Sequence, residues 1–186
     1  MPLLRKKKKS TFILDKREFQ SRIKEITGLS PCNISIYEKA LIHRSATFTR
    51  EDGIRINNER LEFLGDAILD AILSDYLFNK FPQYDEGKLS KIRSRVVNQE
   101  VLNKLALSMG IDSLLINHMS SNNKGRKLYG DALEALIGSV FLDFLGKYYR
   151  GICKRKQQHR QECNDVWIAF EFVCLVCFHF NKDYCN

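Results

Sequence analysis

Asn58-Glu59-Arg60-Leu61-Glu62-Phe63-Leu64-Gly65-Asp66-Ala67-Ile68-Leu69-Asp70 is the stretch whose reading decides the fold. Leu61, Leu64, Ile68, Ile72 and Leu73 recur with helical spacing. They predict a long helix over about residues 58–79, closed by Phe81-Pro82. On that helix Glu59, Glu62, Asp66 and Asp70 fall at i, i+3, i+7 and i+11, so they share one stripe. Like charges so placed repel by roughly 0.2–0.5 kcal/mol per pair. Taken alone, the stripe reads most simply as a solvated acidic face.

A second acidic pair changes that balance. Asp131-Ala132-Leu133-Glu134 sets two more carboxylates at i, i+3 on a helix expected over about residues 129–144, among Leu133, Leu136, Ile137, Val140 and Phe141. Gly138 continues the face one turn on, and Gly65 sits similarly in the first helix. An interior helical glycine costs about 1 kcal/mol relative to alanine. Two of them beside two acidic stripes suggest close approach of the helices, with ordinary core packing as the other explanation. Glu62, Asp66, Asp131 and Glu134 brought together would repel without a cation. Oxygen ligands with no matching histidine or cysteine favour Mg²⁺ or Mn²⁺ over zinc. Such an ion activates water and stabilises charge on a phosphate, so metal-assisted phosphodiester hydrolysis is the natural chemistry.

Outward from these two helices, the spacing stays helical. Phe19, Ile23 and Ile26 mark one helix from Glu18 onward, and Tyr37, Ala40, Leu41 and Ile42 mark another, with Gly28, Ser30 and Pro31 turning between them. Residues 47–57 read as a polar loop. Asp85-Glu86-Gly87 opens a helix with Leu89, Ile92, Val96 and Val97, and a further one runs from Val101 to about Met109 and stops at Gly110. Residues 117–125 read as a polar loop that ends in a basic cluster of Lys124, Arg126 and Lys127. No alternating strand is evident before residue 145, so the fold is expected to be all-α. Residues 1–17 read as a solvated basic arm, 18–145 as the folded domain and 146–186 as an atypical tail.

Composition sets the bounds. The 186 residues suffice for one domain and an appendage. Hydrophobic residues make up 44% and charged ones 28%, which is ordinary for a soluble globular chain. The formal charge of +8 suits a polyanionic partner, although many proteins carry such charge for solubility alone. The basic run at residues 5–9 is followed by too short an apolar stretch for a secretory signal. No apolar run reaches the roughly 18 residues of a membrane span. A cytoplasmic location is the resulting expectation. Of six cysteines, five crowd the end after residue 150, so no disulfide framework is expected.

The run from Asn58 to Ala67 resembles the signature of the ribonuclease III family. Three further segments match that family in order and spacing: Tyr37-Glu38-Lys39-Ala40-Leu41-Ile42-His43-Arg44-Ser45, Phe81-Pro82-Gln83-Tyr84-Asp85-Glu86-Gly87, and Gly130-Asp131-Ala132-Leu133-Glu134-Ala135-Leu136-Ile137-Gly138. The resemblance covers about residues 18–145. It implies the all-helical ribonuclease III endonuclease fold and metal-dependent hydrolysis of double-stranded RNA in rRNA and mRNA precursors, by a homodimer. Carried over by position, Glu62, Asp66, Asp131 and Glu134 hold the metal, Mg²⁺ with Mn²⁺ as substitute. Asp66 and Glu134 are the most critical for hydrolysis. Glu59 and Glu86 support the RNA cleft, and Phe63 inserts into the partner subunit.

Beyond residue 145 the resemblance fades, and no double-stranded-RNA-binding domain is recognisable. Residues 147–160 are basic and free of acids, which reads either as phosphate-binding or as merely solvated. Cys174 and Cys177, with Cys163, Cys185 and His179, match no standard zinc spacing. The tail is expected to be a frameshifted or disordered end. His43, His118 and His159 read as surface or packing residues, not ligands. The competing function is a catalytically silent family member that binds RNA or the ribosome. Such members lose metal carboxylates, and here all four are present.

Overall fold

The computed structural model describes residues 15–119 and 127–145. The basic run at 5–9, Lys124 and Arg126, and the whole stretch from 146 on, with its basic run, cysteines and His159, lie outside the described residues.

Among the described residues, six α-helices carry the fold: α1 (Lys16–Thr27), α2 (Ile34–Ala40), α3 (Glu59–Lys80), α4 (Glu86–Val96), α5 (Gln99–Ser108) and α6 (Leu128–Val140). Their ends follow capping chemistry. Asp15, Asp85 and Asn98 accept backbone N–H groups of Arg17, Lys88 and Val101 and so start α1, α4 and α5. Helix α1 therefore begins two residues before the sequence reading placed it. Gly28 ends it in the left-handed conformation at φ 74°, its N–H returning to the Lys24 carbonyl.

The all-α expectation holds, with one small addition. The stretch read as a polar loop folds as a hairpin of two-residue strands, β1 (Phe48–Thr49) and β2 (Arg55–Ile56), antiparallel with Phe48 opposite Ile56. Strands this short leave no alternating pattern to read. A parallel bridge between Ile42 and Ile116 ties the end of α2 to the segment after α5, with His43 N–H on the Ile116 carbonyl at 3.0 Å.

Helix α6 is the centre of the molecule. Every residue from Leu128 to Val140 except Tyr129 is buried, so neighbours surround it instead of covering one face. Helix α3 crosses it, α5 flanks it, and Phe19, Ile23, Tyr37, Leu102 and Ile111 fill the space around them. The buried line of α3 is Leu61, Gly65, Leu69, Leu73 and Leu77. Leu64, Ile68 and Ile72, which the spacing singled out, are only half-buried beside it.

Of the helices whose own N-cap residue makes no side-chain cap, α6 and α2 are capped from distant elements. No side chain of its own caps α6, and Asn103 of α5 accepts the Gly130 N–H at 2.7 Å. Helix α2 likewise has no local side-chain cap. Asp143, in the π-helical turn Phe141–Leu145 after α6, accepts the N–H groups of Cys32 at 2.8 Å and Asn33 at 3.1 Å, and the Tyr37 hydroxyl at 3.2 Å. An anion at a helix start satisfies free donors and opposes the helix dipole.

Candidate active site

The site exists because two helices touch backbone to backbone. A Cβ built at Gly65 would overlap the Glu134 carbonyl, and one built at Gly138 would overlap the Leu61 carbonyl. Both glycines are thus required at the crossing, and the close approach read from the sequence is what occurs. Glu62 stands one turn before Gly65, and Glu134 one turn before Gly138. The crossing therefore sets carboxylates of both helices against each other.

Glu62, Asp131 and Glu134 each offer a carboxylate oxygen, and these oxygens lie within 4.8 Å of one another. Asp131 and Glu134 are buried and Glu62 half-buried. Asp66 is exposed at the edge, outside that trio but near enough to act on Glu134. The structure thus brings three of the four expected ligands together, with the fourth on the rim. Asp70 lies one turn further along the stripe.

Uncompensated charge shows in the titration of these groups. Burial pushes Glu134 up from 4.5 to about 8, assisted by the charges of Asp66, Asp131, Glu62 and Asp70. Glu62 is raised by burial and then by Asp131, and Asp66 by burial and then by Asp70. Burial also raises Asp131, against a hydrogen bond from Gln99 and the positive charges of Arg44 and Lys127. Buried carboxylates held together with no salt bridge among the described residues are what a divalent cation would relieve. Their all-oxygen donor set suits a hard ion. The residues present fit such a cation.

The remaining expected residues sit around this centre. Glu59, on the first turn of α3, is exposed and accepts from Asn57 Nδ2 at 2.7 Å. Its charge reaches Glu62 and His43. Glu86 opens α4 and accepts from the Ser90 hydroxyl at 2.9 Å. It lines a groove of about 700 Å³ between α3 and α4, shared with Ser74, Phe78, Tyr84 and Arg93. Neither the clustered trio nor Asp66 lines that groove. Phe63 projects from α3 at 80% exposure, the highest among the exposed large hydrophobic residues described.

His43 is buried, its Nδ1 accepting the Ser45 N–H at 3.1 Å, and burial lowers its pKa. It packs, as the sequence reading held, and the described acid cluster contains no histidine. Sequence reasoning missed Gln99, whose Nε2 donates to Asp131 Oδ1 at 3.0 Å, and the capping roles of Asn103 and Asp143. A lone amide carries no spacing signal. The signal that the sequence does carry there is Gly130, beside which Gln99 lies.

The chain matches the Ribonuclease-III-like family model over residues 33–156. It is 48% identical over 118 residues to Ribonuclease 3 of Bacteroides thetaiotaomicron, covering 63% of this chain and 38% of that protein. It is 42% identical over 144 residues to Ribonuclease 3 of Phocaeicola vulgatus, covering 77% of this chain and 46% of that protein. The chain thus spans less than half the length of these curated relatives. The crystal structure of the nuclease domain of ribonuclease III from Campylobacter jejuni superposes with a TM-score of 0.61 at 28% identity, covering 89% of this chain and 96% of that one. A second structure of that nuclease domain, described for flexibility in a region involved in its dimer formation, gives 0.62 at the same identity. With a family match across two-thirds of its length and the shared helical fold, this chain belongs to the ribonuclease-III-like family.

Proposed function

We propose that the chain is an endoribonuclease that hydrolyses phosphodiester bonds in double-stranded RNA, as a homodimer using Mg²⁺ or, in its place, Mn²⁺. The observation that carries the reading is the trio Glu62, Asp131 and Glu134, with oxygens within 4.8 Å across a glycine crossing. Residues 18–145 form the catalytic domain, between a basic arm at 1–17 and a tail at 146–186. Glu62, Asp66, Asp131 and Glu134 hold the cation, and Asp66 and Glu134 matter most for hydrolysis. A bound divalent ion supplies a lowered pKa for water and positive charge for the phosphate as it reacts. The protein's part is to hold three acids together with Asp66 at their edge, and to exclude water from their inner side. Burial of Asp131 and Glu134 strengthens every electrostatic contact made there.

Asp66, exposed on the rim, is open to an approaching substrate. Glu59 and Glu86 lie outside the trio, and their supporting role in the RNA cleft rests on the family resemblance. Phe63 is open to a partner surface, and its role in the dimer rests on the family resemblance. The Campylobacter structure's association with dimer formation points the same way. Processing of rRNA and mRNA precursors in the cytoplasm is the cellular role that follows. None of the described helices is long and apolar enough to cross a membrane.

The catalytically silent alternative has less support, since all four carboxylates are present. Cleavage of a long duplex RNA decides between them. Fragments with Mg²⁺, and none with EDTA, support the enzyme. Binding without cleavage in any divalent ion favours the silent reading.

A further inference from the structure

Gln99 is the first residue of α5, and its side chain reaches over the first turn of α6. The amide Nε2 donates to Asp131 Oδ1 at 3.0 Å and to the Lys127 carbonyl at 3.0 Å. An amide nitrogen carries two hydrogens, so both bonds form together. The same Lys127 carbonyl accepts the Asp131 backbone N–H at 3.0 Å. Asp131 is thereby held at its backbone and at one carboxylate oxygen by groups converging on a single carbonyl.

Gly130 makes the arrangement possible. A Cβ there would overlap Gln99 Nε2 and stand 3.2 Å from Leu102 Cβ. Asn103, one turn along α5 from Gln99, takes the Gly130 N–H. Two amide side chains on one face of α5 therefore fix the start of the helix that carries Asp131 and Glu134. An amide suits this place physically. It donates to the carboxylate without adding a positive charge that would repel a cation, and it engages only one of the two oxygens.

We infer that Gln99 is a positioning residue for the cation site, fixing the Asp131 carboxylate in the orientation in which it shares an ion with Glu62 and Glu134. The inference rests on the metal-dependent reading above. Groups that orient ligands from behind typically contribute about 10–100-fold in metal affinity.

The test is Mn²⁺ binding to the full chain without RNA, followed by the electron paramagnetic resonance signal of free Mn²⁺. Gln99→Met keeps length and helix preference but removes both donors. The expected result is a Kd for Mn²⁺ raised about 10-fold or more, with the helical circular dichroism of the parent. Gly130→Ala should do the same with Gln99 intact, by displacing its amide. In a Gln99→Ala background the Gly130→Ala change should then weaken binding no further. That pair decides the question even where Gln99→Met folds poorly. Parent-like Mn²⁺ affinity in Gln99→Met, or additive losses in the pair, would leave Gln99 as a tie between α5 and α6 and overturn the inference. A parent chain that binds no Mn²⁺ would instead overturn the metal reading itself, and this inference with it.

Discussion

Glu134 concentrates the cost of the site. It is buried at 8% exposure, and its carboxyl is pushed up to about 8 by burial first and by four neighbouring acids next. Without metal, the folded protein keeps a proton on Glu134 where the unfolded chain has released it. The native state then binds more protons, so stability falls as pH rises from about 5 to about 8 and the whole penalty stands above that. Glu62, Asp66 and Asp131 are raised too and add in the same direction. The metal-free Tm should drop across this range, and Glu134→Gln, which has no proton to lose, should flatten the fall. Saturating Mg²⁺ should do likewise in the parent. A metal-free Tm that rises between pH about 5 and about 8 would contradict the assigned environment.

At the scale of helices, the α3–α6 crossing decides everything that follows. Gly65→Ala puts a methyl group into the Glu134 carbonyl, which is backbone and cannot swing away. The helices must separate, at a cost of about 1–3 kcal/mol that outweighs the better helix propensity of alanine. The expected outcome is a lower Tm together with weakened Mn²⁺ binding, read by calorimetry. An unchanged Tm would mean that the helices do not meet there. This crossing was legible in sequence from two interior glycines beside acidic stripes, with ordinary core packing as the competing explanation. The burial of Asp131 and Glu134 was less so. A spacing argument gives α6 one apolar face, whereas α6 is enclosed on nearly all sides and takes its acids inside with it. The same local view picked Leu64, Ile68 and Ile72 on α3, while the true seam runs through Gly65 and Leu69. The caps supplied by Asn103 and Asp143 come from elements distant in sequence, where no local pattern can announce them.

For the whole molecule, the proposed dimer sets the exposed Phe63 of α3 against a second copy. Phe63→Ala should shift the sedimentation profile from dimer toward monomer, with a dimer Kd raised by about 30-fold, the scale of a single aromatic anchor. A dimer of unchanged strength would place the interface elsewhere. The hairpin at Phe48–Ile56 escaped the sequence reading for want of length, yet the all-helical plan was readable from residue types and spacing. What spacing alone left open was whether the acids gather, and three of them do. The most direct test of the central claim is the single-turnover cleavage rate of duplex RNA at saturating Mg²⁺, in Glu134→Gln and in Asp70→Asn. Glu134→Gln should fold and bind duplex, yet cleave about 10²-fold or more slowly, the usual cost of losing one transition-state stabiliser. Asp70→Asn, on the same stripe but outside the ligand set, should cleave nearly as the parent does. Parent-like cleavage by Glu134→Gln would contradict the account, as would full cleavage by the parent in EDTA.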